Sequence, residues 1–85
     1  MARIEMYTKD YCPYCTLAKR LLESKGQQWE EINLSKEPER VEEMLERSQG
    51  RQTVPEILIN GRLVGGFDEL AALERAGELD AWLTD

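Results

Sequence analysis

The sequence predicts an α/β fold in which a central, mixed four-stranded sheet is flanked by helices, in the element order βαβαββα. Two observations lead to this prediction. Strand-like and helix-like segments alternate through the first half of the chain, and Asn60-Gly61 separates two apolar runs in the second half. Strand, helix and strand at this spacing favour a parallel, right-handed unit, whereas Asn-Gly between two strands is the strongest local signal for an antiparallel hairpin. The sheet should therefore be mixed, with helices on both faces.

The size and charge of the chain limit what it can be. Its 85 residues correspond to one small domain, residues 1–85, close to the size at which a single core is only just sufficient. The formal net charge of −6 argues against nucleic acid as a partner. The N-terminal residues alternate in polarity without a long apolar stretch, so we expect no signal peptide, no membrane span and a cytoplasmic location. Nothing in the chain demands more than a monomer.

The first half of the chain is predicted to form two strands and two helices. Ile4 and Met6 alternate with polar neighbours in a first strand, and a second strand covers residues 29–34. Between them a helix over residues 14–25 ends at Gly26. Its apolar face is formed by Leu17, Ala18, Leu21 and Leu22. Ser35 is predicted to cap the second helix, with Pro38 in its first turn. The buried stripe of this helix comprises Val41, Met44 and Leu45.

Glutamates occupy positions 39, 42, 43 and 46 of the second predicted helix. Their spacing is typical of a solvated helix face, with an ion pair between Glu43 and Arg47 one turn apart. An acidic binding surface is the less favoured alternative.

The second half begins with a polar loop over residues 48–53. A strand over residues 56–59 turns at Asn60-Gly61 into a strand over residues 62–64, which Gly65-Gly66 ends. Phe67 and Asp68 then begin a helix that stops at Gly77. The apolar residues of this helix are Leu70, Leu73 and Ala76, and those of a short terminal helix are Leu79, Trp82 and Leu83.

Both cysteines lie in one stretch, Tyr11-Cys12-Pro13-Tyr14-Cys15, just before the first predicted helix. Pro13 suits the first helical position, which places Cys12 at the N-cap. There the free N–H groups and the helix dipole stabilise a thiolate, so the pKa of Cys12 should fall below the roughly 8.5 of a free thiol. A lower pKa makes Cys12 a better leaving group from a mixed disulfide, while lower nucleophilicity offsets most of the gain in attack. The pair therefore predicts redox turnover through a mixed disulfide.

Two other roles for the cysteine pair fit less well. A structural disulfide that closes so short a ring removes little entropy from the unfolded chain. A zinc site would need a second chain or carboxylate ligands, because the sequence has no histidine and no third cysteine; we expect no metal. In a reducing compartment the pair points to a transient, catalytic disulfide. Its place at the first strand-to-helix junction is characteristic of a thioredoxin-like fold.

Four motifs occur along the chain in a fixed order: Met6-Tyr7-Thr8-Lys9, Cys12-Pro13-Tyr14-Cys15, Thr53-Val54-Pro55 and Gly65-Gly66-Phe67-Asp68. Their order resembles that of the glutaredoxins, most of all the short bacterial dithiol members, over essentially the whole chain. Cys-x-x-Cys alone is weak evidence, but four motifs in register are strong. The resemblance implies a thioredoxin fold in which Pro55 is cis and faces the cysteines. It also implies glutathione as reductant and co-substrate, with no permanently bound cofactor.

The resemblance further implies a glutathione site, which must receive two carboxylates and one ammonium group. The backbone of Val54 would pair like a strand with the cysteinyl part of glutathione, since a cis proline leaves it unpaired within the sheet. The γ-glutamyl carboxylate would meet the N–H groups of Phe67 and Asp68 at a helix start, and the Asp68 side chain would take the ammonium group. The full implied set comprises Lys9, Cys12, Tyr14, Arg51, Gln52, Thr53, Val54, Pro55, Gly66, Phe67 and Asp68.

Within this set Lys9, together with Arg51 or Gln52, would receive the glycyl carboxylate, and the Tyr14 ring would cover the glutathione sulfur. Simpler roles remain open for some members. Asp68 could serve only to cap its helix, although the two roles are compatible, Gly65-Gly66 could only end a strand, and Lys9 could be an ordinary surface lysine.

Three positions depart from the family pattern. Glu69 replaces a frequent second aspartate, which keeps the charge but changes its reach. Phe67 stands where cysteine or a polar residue is common, which matters little if only its backbone binds. Glu56 after Pro55 is expected to add a negative charge near the entrance of the site and to influence which protein substrates are accepted.

These observations predict a glutathione-dependent thiol–disulfide oxidoreductase that acts on glutathionylated or disulfide-bearing proteins. Cys12 is the expected nucleophile, and Cys15 the resolving cysteine. One rival is a carrier reduced by a flavoprotein reductase, although such carriers usually lack this combination of motifs. Another is a module in which two chains bind an iron–sulfur cluster with two glutathiones, which the stiffening effect of Pro13 disfavours.

Overall fold

In the computed structural model, which describes residues 2–84, four strands form one mixed sheet. Strands β1 to β4 comprise Ile4–Thr8, Glu30–Asn33, Glu56–Ile59 and Arg62–Gly65. Helices α1 to α4 comprise Pro13–Ser24, Val41–Arg47, Phe67–Arg75 and Leu79–Leu83, and a 3₁₀ turn, Pro38–Arg40, leads into α2. The sheet order is β2-β1-β3-β4, with β1 and β2 parallel and the other pairs antiparallel. The predicted fold class and element order are confirmed.

Two apolar clusters cover the two faces of the sheet. On one face, Met6 and Ile57 pack with Leu22 of α1 and Leu70 of α3, beside α4. On the other face, Tyr7, Ile32 and Leu58 pack with Met44 of α2. Because β1 and β3 lie in the middle of the sheet, every residue of both strands is buried. The ends of these two strands carry the segments that build the functional site.

The polar face predicted for β1 is in fact buried. Arg47 of α2 donates to the two carboxylate oxygens of Glu5 over 2.8 and 2.7 Å, and to the Tyr7 hydroxyl over 3.1 Å. The predicted ion pair between Glu43 and Arg47 is therefore wrong. Glu43 instead pairs with Arg40 at 2.8 Å and accepts a hydrogen bond from the Tyr7 hydroxyl. Charged side chains of α2 thus form hydrogen bonds with side chains of β1 and do not face the solvent alone.

Several predicted helix details also differ. Leu17 is 38% exposed, so the buried face of α1 is formed without it. Ser35 does not cap α2, because the chain first passes through the 3₁₀ turn; its hydroxyl oxygen accepts the N–H of Asp10 over 3.0 Å instead. Ala76 is the exposed C-cap of α3 rather than part of its apolar face. None of the helices within residues 2–84 has the length and apolarity that a membrane crossing requires.

The predicted helix ends and the predicted hairpin turn are confirmed. Gly26 and Gly77, which follow α1 and α3, adopt left-handed φ values of +70° and +73°. At the hairpin, Asn60 and Gly61 both have positive φ, 52° and 79°, as a tight turn between right-twisted strands requires. The hairpin delivers β4 to the sheet edge, from which the chain enters α3.

Candidate active site

Cys12 lies at the N-terminus of α1, as predicted. It is the N-cap in an extended conformation (φ −113°, ψ 100°), and Pro13 begins the helix. Its sulfur accepts the backbone N–H of Cys15 over 3.1 Å and forms a disulfide with the Cys15 sulfur, the two Cα atoms being 5.2 Å apart. Cys12 is half-buried, whereas Cys15 is only 2% exposed. Cys12 is therefore the sulfur that a substrate can reach.

The electrostatic setting of Cys12 favours a negative charge on its sulfur. The first turn of α1 contains no acidic side chain, and the N–H groups of a first helical turn have no partner within the helix. The Cys15 N–H is already directed at the sulfur. Once the disulfide is reduced, this donor and the helix dipole are in place to stabilise a thiolate.

The segment before β3 meets the disulfide from the other side. The Val54–Pro55 peptide bond is cis, as the resemblance implies. The Val54 carbonyl oxygen lies 3.8 Å from the Cys12 sulfur. Since β3 begins only at Glu56, the backbone of Val54 stands outside the ladder of the sheet.

A cleft of about 360 Å³ lies beside this turn. The rings of Tyr14 and Phe67 lie at its border with their centroids 6.2 Å apart. The cleft brings together eight of the residues singled out in the sequence, from three separate segments: Tyr14, Arg51, Thr53, Val54, Pro55, Gly66, Phe67 and Asp68. Glu69 completes its lining.

Lys9 and Gln52 lie together but outside this cleft. Both border a separate depression of about 280 Å³ against α2. Lys9 also lines an open cleft of about 460 Å³ on another side of Cys12. Gln52 thus borders the same depression as Lys9, whereas Arg51 lines the cleft and its guanidinium contacts the carboxylates of Glu56 and Glu69.

The N-terminus of α3 forms one wall of the cleft. Gly66 is its N-cap, so the suggestion that Asp68 caps the helix is wrong. The side chain of Glu69 accepts the Gly66 N–H over 2.6 Å. This hydrogen bond, together with the Arg51 guanidinium, lowers the pKa of Glu69 against the opposing effect of burial. Asp68 is exposed and also lines the cleft, and the first N–H groups of a helix have no partner within the helix.

Glu56 is the site residue whose setting differs most from the expectation. It is fully buried, at 0% exposure, and neither carboxylate oxygen receives a hydrogen bond from residues 2–84. Burial raises its pKa to about 7, although Arg51 acts to lower it. The expected position of this carboxyl group at the entrance of the site is therefore wrong, because the group is buried. The signal was present, because the position belongs to a strand predicted to lie inside a sheet with helices on both faces.

Tyr11 is a second residue near the cysteines whose setting the sequence did not predict. It precedes Cys12, is fully exposed and adopts a left-handed φ of 58°. Such a conformation is uncommon for an aromatic residue. Tyr11 and Cys12 both border the open cleft of about 460 Å³.

Comparison with known proteins agrees with this geometry. The glutaredoxin family model matches residues 4–64. Glutaredoxin 3 of Escherichia coli K12 is 48% identical over 83 residues, which cover 98% of this chain and 99% of that protein. Glutaredoxin of Pseudomonas aeruginosa PAO1 is 49% identical over 84 residues, which cover 99% of each.

Solved structures show the same relationship. The holo form of glutaredoxin C1 from Populus tremula x tremuloides superimposes with a TM-score of 0.87 at 30% identity, over 96% of this chain and 83% of that one. A complex of buckwheat glutaredoxin with glutathione gives 0.85 at 31% identity, over 95% and 76%. The fold is thioredoxin-like, and the chain belongs to the glutaredoxin family of thiol–disulfide oxidoreductases.

Proposed function

We propose that the protein uses glutathione to reduce glutathione mixed disulfides and the disulfides of proteins. The observation that carries the proposal is the position of Cys12: an accessible sulfur at a helix N-cap, 3.1 Å from a backbone N–H and 3.8 Å from the carbonyl oxygen that precedes a cis proline. The glutathione complex of the buckwheat relative supports the choice of ligand.

With a glutathionylated substrate, the Cys12 thiolate attacks the glutathione sulfur. The disulfide of the substrate breaks, its thiolate leaves and takes up a proton, and glutathione stays on Cys12 as a mixed disulfide. A second glutathione thiolate then attacks the sulfur of the bound glutathione, which releases glutathione disulfide and the Cys12 thiolate. The Cys15 N–H stabilises the charge on Cys12 as it leaves, so the same hydrogen bond assists every turnover.

With a protein disulfide, Cys12 first forms a mixed disulfide with the substrate. The buried Cys15 then attacks the Cys12 sulfur, releases the substrate thiol and closes the internal disulfide that the structure contains. Two glutathiones reduce this disulfide in turn and leave as glutathione disulfide. The low exposure of Cys15, 2%, fits a thiol that reacts only with its neighbour.

Glutathione would lie in the cleft between Val54 and α3. Its cysteinyl backbone would pair with Val54, its γ-glutamyl carboxylate with the first N–H groups of α3, and its ammonium group with the Asp68 carboxylate. Lys9 and Gln52 would receive the glycyl carboxylate. These positively charged and polar groups matter because the protein as a whole, with a net charge of −6, repels an anion. Salt screens this repulsion only beyond roughly 8 Å.

The proposal is tested by following NADPH consumption in the presence of glutathione, glutathione reductase and a small glutathione mixed disulfide. We expect turnover by the wild type and none above background by Cys12→Ser, whose far-ultraviolet circular dichroism should be unchanged. If the wild type does not turn over, but is reduced directly by a flavoprotein disulfide reductase, the assignment of glutathione as reductant is wrong.

A further inference from the structure

Three charged side chains meet at one side of the cleft: Arg51 and Glu69 line it, and Glu56 is buried. Arg51 follows α2, Glu56 lies at the start of β3, and Glu69 lies in the first turn of α3. The Arg51 guanidinium approaches Glu69 Oε1 through Nη2 at 3.1 Å and Glu56 Oε1 through Nε at 3.4 Å. One cation thus ties three segments together that are distant in sequence.

The glycine pair makes room for this arrangement. Gly65 has a φ of +117°, and a Cβ atom there would lie 2.8 Å from Arg51 Nη1 and 2.8 Å from Glu69 Oε1. A Cβ atom on Gly66 would lie 3.3 Å from Glu69 Oε1. The absence of side chains at these two positions therefore serves the close approach of the Arg51–Glu69 pair to the backbone.

The ion pair between Arg51 and Glu69, here called the tie, joins the two walls of the cleft. Arg51 stands two residues before Thr53, which with Val54 and Pro55 forms one wall. Glu69 holds the Gly66 N–H and so belongs to the other wall, the start of α3. A change in the Arg51 contact would alter the separation of the walls, between which one ligand must fit.

We infer that Arg51 is a positioning residue, which fixes the two walls of the cleft through Glu69 and Glu56 and thereby sets the affinity for glutathione without receiving either of its carboxylates. The inference rests on the proposed function for the identity of the ligand. An arginine suits this role because its planar fork can serve two carboxylates in fixed directions, which a lysine cannot do. The buried Glu56 supplies the second carboxylate, while the Arg51 side chain itself is 40% exposed.

Direct contact and positioning predict opposite effects when Glu69 loses its charge. If Arg51 bound a glutathione carboxylate, Glu69→Gln would free the guanidinium and lower the KM for glutathione. If Arg51 acts by positioning, Glu69→Gln weakens the tie and raises this KM. The double variant should then be no worse than Arg51→Gln alone, because both changes remove one interaction.

The test measures kcat and the KM for glutathione in the NADPH-coupled assay at saturating mixed disulfide. For Arg51→Gln we expect a KM raised by about three- to tenfold with kcat changed less than twofold, and a smaller rise for Glu69→Gln. Arg51→Lys should restore only part of the loss. The matched control is Arg20→Gln, at an exposed position of α1, with a KM like that of the wild type.

A lowered KM in Glu69→Gln, or full rescue by Arg51→Lys, would overturn the inference in favour of direct charge recognition. Because Arg51→Gln leaves Glu56 buried without a counter-ion, the same substitution is also made together with Glu56→Gln. The rise in KM should persist there; its disappearance would show that the buried charge, and not the position of the walls, caused the effect. Absence of glutathione-dependent turnover in the wild type would instead defeat the proposed function itself.

Discussion

The backbone N–H of Cys15 is directed at the sulfur of Cys12 across 3.1 Å. The donor that favours a thiolate on Cys12 is therefore part of the main chain, while the Cys15 sulfur is a separate group with a separate task. The two roles of residue 15 can be divided by a substitution that removes the sulfur and keeps the N–H.

Cys15→Ser makes this division. We expect the variant to keep its activity on a small glutathione mixed disulfide within about threefold, because only Cys12 and glutathione take part, and to lose reduction of protein disulfides, which needs the resolving thiol. The two activities are measured in parallel with one preparation. Retention of both would mean that glutathione, not Cys15, resolves the mixed disulfide with protein substrates.

Asp68→Asn tests the ammonium subsite. Its carboxylate is exposed at the cleft and is not needed as a helix cap, since Gly66 occupies that position. The KM for glutathione should rise by about three- to tenfold, in line with the loss of one charge-assisted hydrogen bond. Thermal stability should change little. Glu42→Gln, which removes an exposed charge from α2, is the control; an equal effect of both variants would point to net charge and not to a subsite.

Much of the cysteine site could be predicted because its signals are local. The N-cap role of Cys12 follows from Pro13, and the hairpin from Asn60-Gly61, each a backbone preference encoded within a few residues. Resemblance added what no local pattern contains, the cis bond before Pro55 and its approach to Cys12.

The charged network could not be read in the same way. The alternation in β1 predicted an exposed side for Glu5, and the place of Glu56 after Pro55 predicted a position near the entrance of the site, yet both are buried. The deciding fact is tertiary: α2 brings Arg47 over β1, and the loop after α2 brings Arg51 beside β3. Which cation covers which carboxylate depends on how a helix docks across the sheet, and periodicity along one segment does not contain that information.

Comparison of Glu56→Gln with the wild type should show how much the buried carboxyl group destabilises the folded protein, because this effect depends on pH. Burial raises the pKa of Glu56 from 4.5 to about 7. As the pH rises through this interval, the unfolded chain loses the proton first, so folding stability falls until about pH 7 and stays low above it. The contribution amounts to about 3 kcal/mol at most.

The free energy of unfolding is measured with urea for wild type and Glu56→Gln. Between pH 5 and pH 8 the wild type should lose about 2 kcal/mol relative to the variant. The attraction between Arg51 and the ionised carboxylate is already contained in the folded pKa of Glu56, because the guanidinium stays charged throughout. Glu69, whose pKa is lowered, titrates below this interval. A constant difference between the two proteins would mean that Glu56 is ionised in the folded protein across the whole range.

Arg47→Met is expected to reduce the free energy of unfolding by about 3 kcal/mol at pH 7, because it leaves the buried Glu5 carboxylate with only the more distant Arg3, at 3.7 Å, as a cation partner. The Glu5 side chain is 8% exposed, and Arg47 donates to both of its oxygens. The exposed Arg20→Met, which loses the same charge, should change stability by less than about 0.5 kcal/mol. Urea unfolding at constant temperature measures all three proteins.

Measurements of stability at low pH test the Glu5–Arg47 pair more strictly. The hydrogen bonds from Arg47 lower the pKa of Glu5 below 4.5, against the effect of burial. Their stabilising contribution is thus fully present above the unfolded pKa and is lost as the pH falls through the lower folded value. The gap between wild type and Arg47→Met should accordingly narrow in acid, since protonated Glu5 no longer needs the cation. A gap that stays constant down to pH 2 would show that Arg47 stabilises the fold by packing over Tyr7 and not through the charge of Glu5.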